Sequence, residues 1–324
     1  MSQYQILQQY VEEGISNIAL SRTPTALYEP IRYVLNLGGK RIRPVLTLMA
    51  TKMLGGRVEE ALKPAIGLEI FHNFTLVHDD IMDEAQLRRG YPTVHCRWNA
   101  NNAILSGDLM HVIANEYMAD VKDDVLREVL TCYHQMGTRV CEGQQLDMDY
   151  EEQDGLTVDD YQTMIQLKTP NLLATAQPLG AIISRTPEEY KSYMRDFGFN
   201  LGMAFQIQDD LLDTYGDAQE FGKQIGGDIL AGKRTYLYLK AMELGTSEQQ
   251  TTLQHLMSNT TMAPSEKVEA VKGLYTTLGV PEATERSREQ YYQAAMGDMA
   301  KIPFQAAYKQ PLLELAEFLI RRRT

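Results

Sequence analysis

From Ile66 to Asp83 a helical period runs straight into a cluster of carboxylates, and that junction constrains the rest of the chain. Ile66, Ile70, Phe74, Val77 and Ile81 recur at steps of three and four, one face of a 3.6-residue repeat. The segment ends in "HDDIMDEAQLRRG", where Asp79 and Asp83 share a helix face and Asp80 stands about 100° away. Phe197, Leu201, Phe205, Gln208 and Leu212 repeat the stripe with one polar interruption, and "FQIQDDLLD" repeats the trio as Asp209, Asp210 and Asp213. Like charges at this spacing weaken a helix by about 0.2–0.5 kcal/mol per pair. A solvated acidic face explains one such trio. Two trios, each closing an aromatic-rich apolar segment, call for a cationic partner, because buried carboxylates repel and lose hydration.

The rest of the chain keeps the helical period. Few segments alternate apolar and polar residues, and no Asn-Gly turn joins two of them. "TVDDYQTMIQLK" offers Thr157 as an N-cap with Asp159 and Asp160 in the first turn, and "PLLELAEFLIRRRT" offers Pro311 as a helix start with arginines at the end. Breaks fall at residues 36–44, 54–59, 151–157, 184–190, 215–228, 244–250 and 261–267, and no fixed-period repeat appears. No linker is long or polar enough to divide the chain. The expected fold is all-α, a single domain over residues 1–324 built from roughly ten or more helices.

The chain has 324 residues and a net charge of −12, which argues against nucleic acid as a partner. The least polar run, "TPNLLATAQPLGAIIS", holds two prolines and a glycine and is too short and mixed to span a bilayer. The start lacks the basic-then-apolar pattern of a secretory signal. Cys96, Cys132 and Cys141 show no metal spacing and no even count, so a reducing cytoplasm is the expected location.

Mg²⁺ is the cation that best suits the aspartates, since it takes oxygen ligands, keeps waters, and joins one or two carboxylates to substrate phosphates. No His/Cys constellation suggests zinc. Glu69 and His72 in "EIFH" have the spacing of a di-iron bundle, which needs a second such pair; "DLMH" at 108–111 is only a weak cousin. Basic residues gather at glycine-rich breaks: Lys40, Arg41 and Arg43 in "GGKRIRP", Arg88 and Arg89 in "RRG", then Lys168, Lys223, Lys233 and Arg234. Singly, each reads as a solvated surface residue. Beside aspartate trios in an acidic protein, they suggest two phosphate-bearing ligands, held without a P-loop.

In this order, "GGKRIRP", "HDDIMDEAQLRRG", "GQQLD", "LKT", "FQIQDDLLD" and "GKQIGGDILAGKRT" make the chain resemble a trans-isoprenyl diphosphate synthase of the farnesyl/geranylgeranyl type over its whole length. The resemblance implies the isoprenoid synthase fold, with helices around a central apolar cavity, and head-to-tail prenyl transfer as the activity. It implies that Asp79, Asp80, Asp83, Asp209, Asp210 and Asp213 serve up to three Mg²⁺ on the allylic diphosphate, with Asp79, Asp83 and Asp209 as direct ligands. Arg88, Lys168, Thr169, Gln206, Lys223 and Lys233 would contact that diphosphate, and Arg88 and Lys168 would count with the aspartates as catalytic. Lys40, Arg43, His72 and Arg89 would bind isopentenyl diphosphate. A basic tail that closes over the second site would give Arg321 to Arg323 a part, or they cap the last helix. The family is usually homodimeric. One departure stands out: Pro170 follows Lys168-Thr169 where the family commonly has a small residue, and proline is expected to kink a helix.

Product length depends on what blocks the tunnel below the first trio. Thr75 and Phe74 lie about one turn before Asp79, with Phe71 about one further turn down. Phe74 and Phe71 serve either as a floor or as core packing. One aromatic rather than two at the key positions is similar to geranylgeranyl (C20) synthases, with farnesyl (C15) as the alternative. Two rivals share the aspartates. A terpene cyclase usually lacks the second DDxxD and the GGKRIRP site, and a non-catalytic partner subunit tends to lose aspartates from one trio.

Overall fold

The computed structural model describes residues 1–216 and 225–321, with the backbone alone at 151, 152 and 169. Lys223, Arg322 and Arg323 therefore lie outside the described residues, as does the side chain of Thr169. In chain order the helices are α1 (Gln3–Ser16), α2 (Thr25–Asn36), α3 (Ile42–Met53), α4 (Val58–Met82), α5 (Val94–Arg97), α6 (Ala100–Ala119), α7 (Asp123–Glu152) and α8 (Val158–Leu167). There follow α9 (Thr169–Ile183), α10 (Glu188–Tyr215), α11 (Gly227–Leu230), α12 (Tyr236–Leu244), α13 (Ser247–Ser258), α14 (Pro264–Thr277), α15 (Val280–Lys301) and α16 (Ala306–Arg321). The fold is all-α. Among the described residues the one sheet is a two-residue ribbon, β1 (Leu87–Arg88) with β2 (Tyr91–Pro92). No described helix is long and apolar enough to cross a membrane.

Two compact units share these elements. The first holds Met1–Gln135, Thr175–Arg195 and Phe304–Leu312, and the second holds the rest of the described chain. In the first unit α3 and α6 both pack along α4, and α1 lies against α3 and α4. α4 is consequently buried on more than the one face its period suggests: Ala65, Gly67, Leu68, Glu69 and Phe71 are buried together with Ile66 and Ile70. A helix packed on several sides has no polar face to show in its middle. In the second unit Met164, Met203, Leu211, Ile229, Tyr236, Leu237, Val271 and Tyr275 build the core from α8, α10, α11, α12 and α14.

Local sequence signals explain some of the boundaries. Thr157 caps α8 as its position suggests, its Oγ1 accepting from the Asp160 amide at 3.2 Å while Asp160 accepts in return from the Thr157 amide at 2.9 Å. The polar interruption in the α10 stripe, Gln208, is buried, and its Oε1 accepts from Arg288 at 2.5 Å. Two proline expectations need correction. Pro311 does not open the last helix, which begins a turn earlier at Ala306 and carries Pro311 inside it. The good helix formers Ala306 and Ala307 extend the turn, and the buried downstream residues Leu312, Leu315, Ala316, Leu319 and Ile320 offset the one lost amide. Pro170 does not kink a helix. α8 ends at Leu167 and α9 begins at Thr169, so Pro170 sits in a first turn, where an amide has no helical partner to lose.

Candidate active site

In the first unit, α4 carries the first trio to its C-terminus. Asp83 is the C-cap residue, its amide donating to the Asp79 carbonyl at 2.8 Å, so the two carboxylates keep their helical spacing. The three differ in environment. Asp83 is exposed and Asp79 half-buried, but Asp80 is only 3% exposed. Just beyond the helix the chain reverses in the β1–β2 ribbon, which pairs Leu87 with Pro92 and Arg88 with Tyr91. Arg89 and Gly90 occupy the tight turn with φ of 54° and 80°, the left-handed pair that a two-residue hairpin needs. The reversal brings Arg88 back onto Asp80. Its Nε donates to both carboxylate oxygens at 2.8 and 3.0 Å, and Nη2 lies 2.7 Å from Oδ1. Burial raises the Asp80 carboxyl above its usual range while Arg88 pulls it back down.

The same unit collects the cations of "GGKRIRP". Arg41 turns inward and is 2% exposed, with Nη1 donating to Glu69 at 2.9 Å, Nε to Glu12 at 2.9 Å and Nη2 to the Leu35 carbonyl at 2.6 Å. Lys40 is exposed and Arg43 half-buried. Arg89 donates to the Gly38 carbonyl. His72 lies among these groups: burial, then the charges of Arg43, Arg89, Arg88 and Arg41, holds its imidazole well below the usual histidine range and so neutral. Glu69 thus has an ordinary role as the buried partner of Arg41, and it also accepts from Asn73 at 3.3 Å. Its use there removes the first half of a di-iron ExxH pair.

One turn below the trio, aromatic rings are stacked in sequence. The half-buried Phe74 lies flat on His111, with centroids 5.2 Å apart and planes 11° apart, and meets His78 edge-on at 4.9 Å. Phe71 is buried and edges onto Phe74 at 5.4 Å and Tyr133 at 5.5 Å. Thr75 is half-buried and its hydroxyl donates to the His72 carbonyl at 2.8 Å, which leaves a small side chain beside the ring. His111 and Tyr133 lie 40 and 62 positions from Phe71 on other helices, so no spacing rule points to them.

In the second unit, α10 carries Asp209, Asp210 and Asp213. Asp210 is buried, 5% exposed, while Asp209 and Asp213 are half-buried. Asp210 accepts from the Tyr161 hydroxyl at 2.5 Å, from Gln206 Nε2 at 3.0 Å and from the Tyr236 amide at 3.4 Å. Burial, and then the neighbouring Asp228 carboxylate, pushes Asp210 up to about 8. Asp213 accepts from the Asp228 amide at 3.0 Å. Lys168, the residue between α8 and α9, donates to Asp147 at 2.6 Å. Gly143, one turn before Asp147 on α7, lets that helix approach: a Cβ there would come within 2.8 Å of the Lys168 backbone nitrogen. Lys233 is exposed just beyond α11. Asp147 belongs to the motif "GQQLD", which by itself names no partner for it, and Tyr161 belongs to no motif at all.

No group of three His, Cys, Asp or Glu side chains among the described residues forms a ready-made cage for a metal. The accessible donors are hard carboxylate oxygens, two or fewer to a helix face. That set fits Mg²⁺, which completes its shell with water and phosphate, and does not suit zinc.

The sequence profile of the polyprenyl synthetase family matches residues 24–275. A geranylgeranyl pyrophosphate synthase of Geoglobus acetivorans is 36% identical over 315 residues, 96% of each chain. A geranylfarnesyl diphosphate synthase of Natronomonas pharaonis is 37% identical over 74% of this chain and 75% of its own. A crystal structure of a geranylgeranyl pyrophosphate synthase superimposes with a TM-score of 0.94 at 39% identity, covering 100% of both chains. That of Corynebacterium glutamicum, solved in complex with isoprenyl diphosphate and magnesium, superimposes with a TM-score of 0.87 at 26% identity, over 99% of this chain and 98% of its own. Twin aspartate trios on an all-α frame, matched from end to end at this level of identity, are not an accident of composition: the chain belongs to the polyprenyl synthetase family and is a prenyltransferase.

Proposed function

We propose that this prenyltransferase condenses an allylic diphosphate with isopentenyl diphosphate, head to tail, and that its main product is geranylgeranyl diphosphate. The observation that carries the residue assignment is the shared design of the trios. In each, the middle aspartate is buried on its own partners while the first and last keep some exposure. Asp79, Asp83 and Asp209 would hold magnesium, up to three ions, as the family resemblance implies, while the buried Asp80 and Asp210, and Asp213 through the Asp228 amide, would fix the geometry around them. Magnesium, when bound, neutralises charge on the departing diphosphate. Lys168, Lys233 and Gln206 orient that diphosphate, with Thr169, Lys223 and Arg88 assigned to it by family analogy.

Lys40, Arg43 and Arg89 supply cationic charge to isopentenyl diphosphate, and His72 joins them as a neutral hydrogen-bond donor, which adds no like charge to a crowded set of arginines. The allylic carbon must meet the alkene before water does, so the chain below the trio has to be apolar. Phe74, backed by His111 and Phe71, serves as the floor, and the small Thr75 leaves the extra depth that C20 requires over C15. A homodimer, as is usual in the family, is the proposed assembly.

Labelled isopentenyl diphosphate supplied with dimethylallyl, geranyl or farnesyl diphosphate tests the reading. The expected outcome is incorporation from every primer, ending at C20. A lack of incorporation refutes elongation, and a C15 or C25 end-point refutes the length. Phe74→Ala is expected to lengthen the product by one or more five-carbon units, and an unchanged length removes Phe74 from the floor.

A further inference from the structure

The family profile begins at residue 24, so α1 lies outside it. Yet three residues of α1 at successive turns, Tyr4, Gln8 and Glu12, all reach the same short loop. The Tyr4 hydroxyl donates to the Lys40 carbonyl. Gln8 Nε2 is shared between the carbonyls of Gly39 and Lys40, at 3.4 and 3.5 Å. Glu12 accepts from Arg41, Nε at 2.9 Å and Nη2 at 3.4 Å. Residues four apart lie on one helix face, so this is a continuous edge turned to the loop.

The loop needs such support. Gly38, Gly39 and Arg41 have φ of 72°, 149° and 48°. For arginine, which carries a Cβ, the left-handed backbone costs on the order of 1 kcal/mol or more. The carbonyls of Gly38, Gly39 and Lys40 are three consecutive acceptors, and each is taken by a side chain: Arg89 for the first, α1 for the other two. The negative ends of those peptide dipoles are therefore committed to donors inside the protein. That matters where an anion is to bind, because an uncommitted carbonyl beside a diphosphate repels it. The Tyr4 hydroxyl is well suited to donate here, since burial, then Glu69 and Glu12, raises its pKa above the ordinary tyrosine value and keeps it protonated.

We propose that α1 is a working part of the isopentenyl diphosphate site, with Tyr4 and Gln8 as positioning residues that hold the 38–41 loop so that Lys40 and Arg43 meet the diphosphate. This rests on the assignment of that loop to isopentenyl diphosphate. Glu12 fixes the same loop through Arg41, but its removal would leave the buried Nε without its acceptor while Glu69 still holds the guanidinium, and so is a poor probe.

The test uses the full chain with Tyr4→Phe and Gln8→Ala, singly and together, and Arg43→Ala alongside. Rates are measured with isopentenyl diphosphate varied at saturating farnesyl diphosphate, and then the reverse. The double variant is expected to raise the KM for isopentenyl diphosphate about five- to tenfold, the loss of one or two modest hydrogen bonds, with kcat and the KM for the allylic substrate within about twofold. A KM for isopentenyl diphosphate that does not move while Arg43→Ala raises it overturns the role of α1 alone. A uniform fall in kcat with both KM values shifted, together with a lower urea midpoint, makes α1 a structural brace and also overturns the proposal. If Arg43→Ala raises only the allylic KM, the loop assignment itself fails and the proposal falls with it.

Discussion

The two aspartate trios share a plan and differ in how the plan is secured. On α4 the buried middle residue, Asp80, is held by an arginine that a tight ribbon turns back toward it. On α10 its counterpart, Asp210, is held by neutral donors, a tyrosine hydroxyl and an amide. Asp80 feels Arg88 first and the neighbouring Asp83 carboxylate only after it, whereas the foremost charge acting on Asp210 is another carboxylate, Asp228. The difference has a physical consequence. Buried beside an arginine, Asp80 has charge compensation built into the protein. Asp210, buried beside hydroxyl, amide and a like charge, has hydrogen bonds without charge compensation, and is pushed up to about 8. The α4 half thus pairs its buried aspartate with a protein cation, while the α10 half holds its counterpart with neutral donors alone.

The comparison breaks first at the exposed carboxylates, where the halves are expected to be alike. Asp79→Ala and Asp209→Ala should each lower kcat/KM by about 10³-fold or more, the loss expected when a group that stabilises developing charge is removed. Unequal losses at fixed magnesium, compared over a magnesium titration, would show that one trio carries the ions alone. The halves should separate at the middle residues. Arg88→Met leaves Asp80 buried without its counter-charge; full burial of such a pair makes the loss about 3–5 kcal/mol, and the partial exposure of Arg88, with a side chain 31% accessible, reduces it to about 2–3 kcal/mol. Tyr161→Phe removes one neutral donor of three and should cost about 1–2 kcal/mol. Urea unfolding measures both, and a Tyr161→Phe loss equal to or above that of Arg88→Met would refute the distinction.

How much of this is legible in the sequence depends on whether the signal is local. The all-α class, the placing of both trios at helix ends and the Thr157 cap all follow from repeats of three, four or a single turn, which a linear reading can see. The ribbon at residues 87–92 escapes such a reading because its turn is Arg-Gly, and arginine is a rare occupant of φ > 0. Pro311 reads as a helix start because the penalty for an internal proline is visible in sequence, while the burial that offsets it is not. Glu69 draws attention as a metal ligand through its spacing to His72, but its partner Arg41 is 28 positions away. Tyr161 and Asp210 are 49 apart, and Asp147 and Lys168 are 21 apart. Pairings of that range belong to packing, and no periodicity announces them.

The smallest effect expected is also the sharpest on the division between the halves, and it concerns His72. Its imidazole is held neutral by burial and by four neighbouring arginines, Arg43, Arg89, Arg88 and Arg41, so its folded pKa lies below the unfolded value of about 6.5. As pH falls through that value the unfolded chain takes up a proton that the folded chain refuses, and more protons on the unfolded state means stability declines toward acid. The contribution is fully present above about pH 7 and is lost progressively below it. The α10 trio has no histidine beside it among residues 158–244; its raised carboxyl, Asp210, adds a slope of the opposite sign, because with a pKa of about 8 the folded state holds a proton that the unfolded carboxylate has lost. Urea midpoints between pH 7 and pH 5 should therefore fall less steeply in His72→Asn than in the parent. A diphosphate anion among the arginines offsets their field, so inorganic pyrophosphate should shrink the difference. An identical slope in parent and variant would mean that the arginine cluster does not act on His72, and the contrast between a charge-built half and a hydrogen-bonded half would lose its main support on the α4 side.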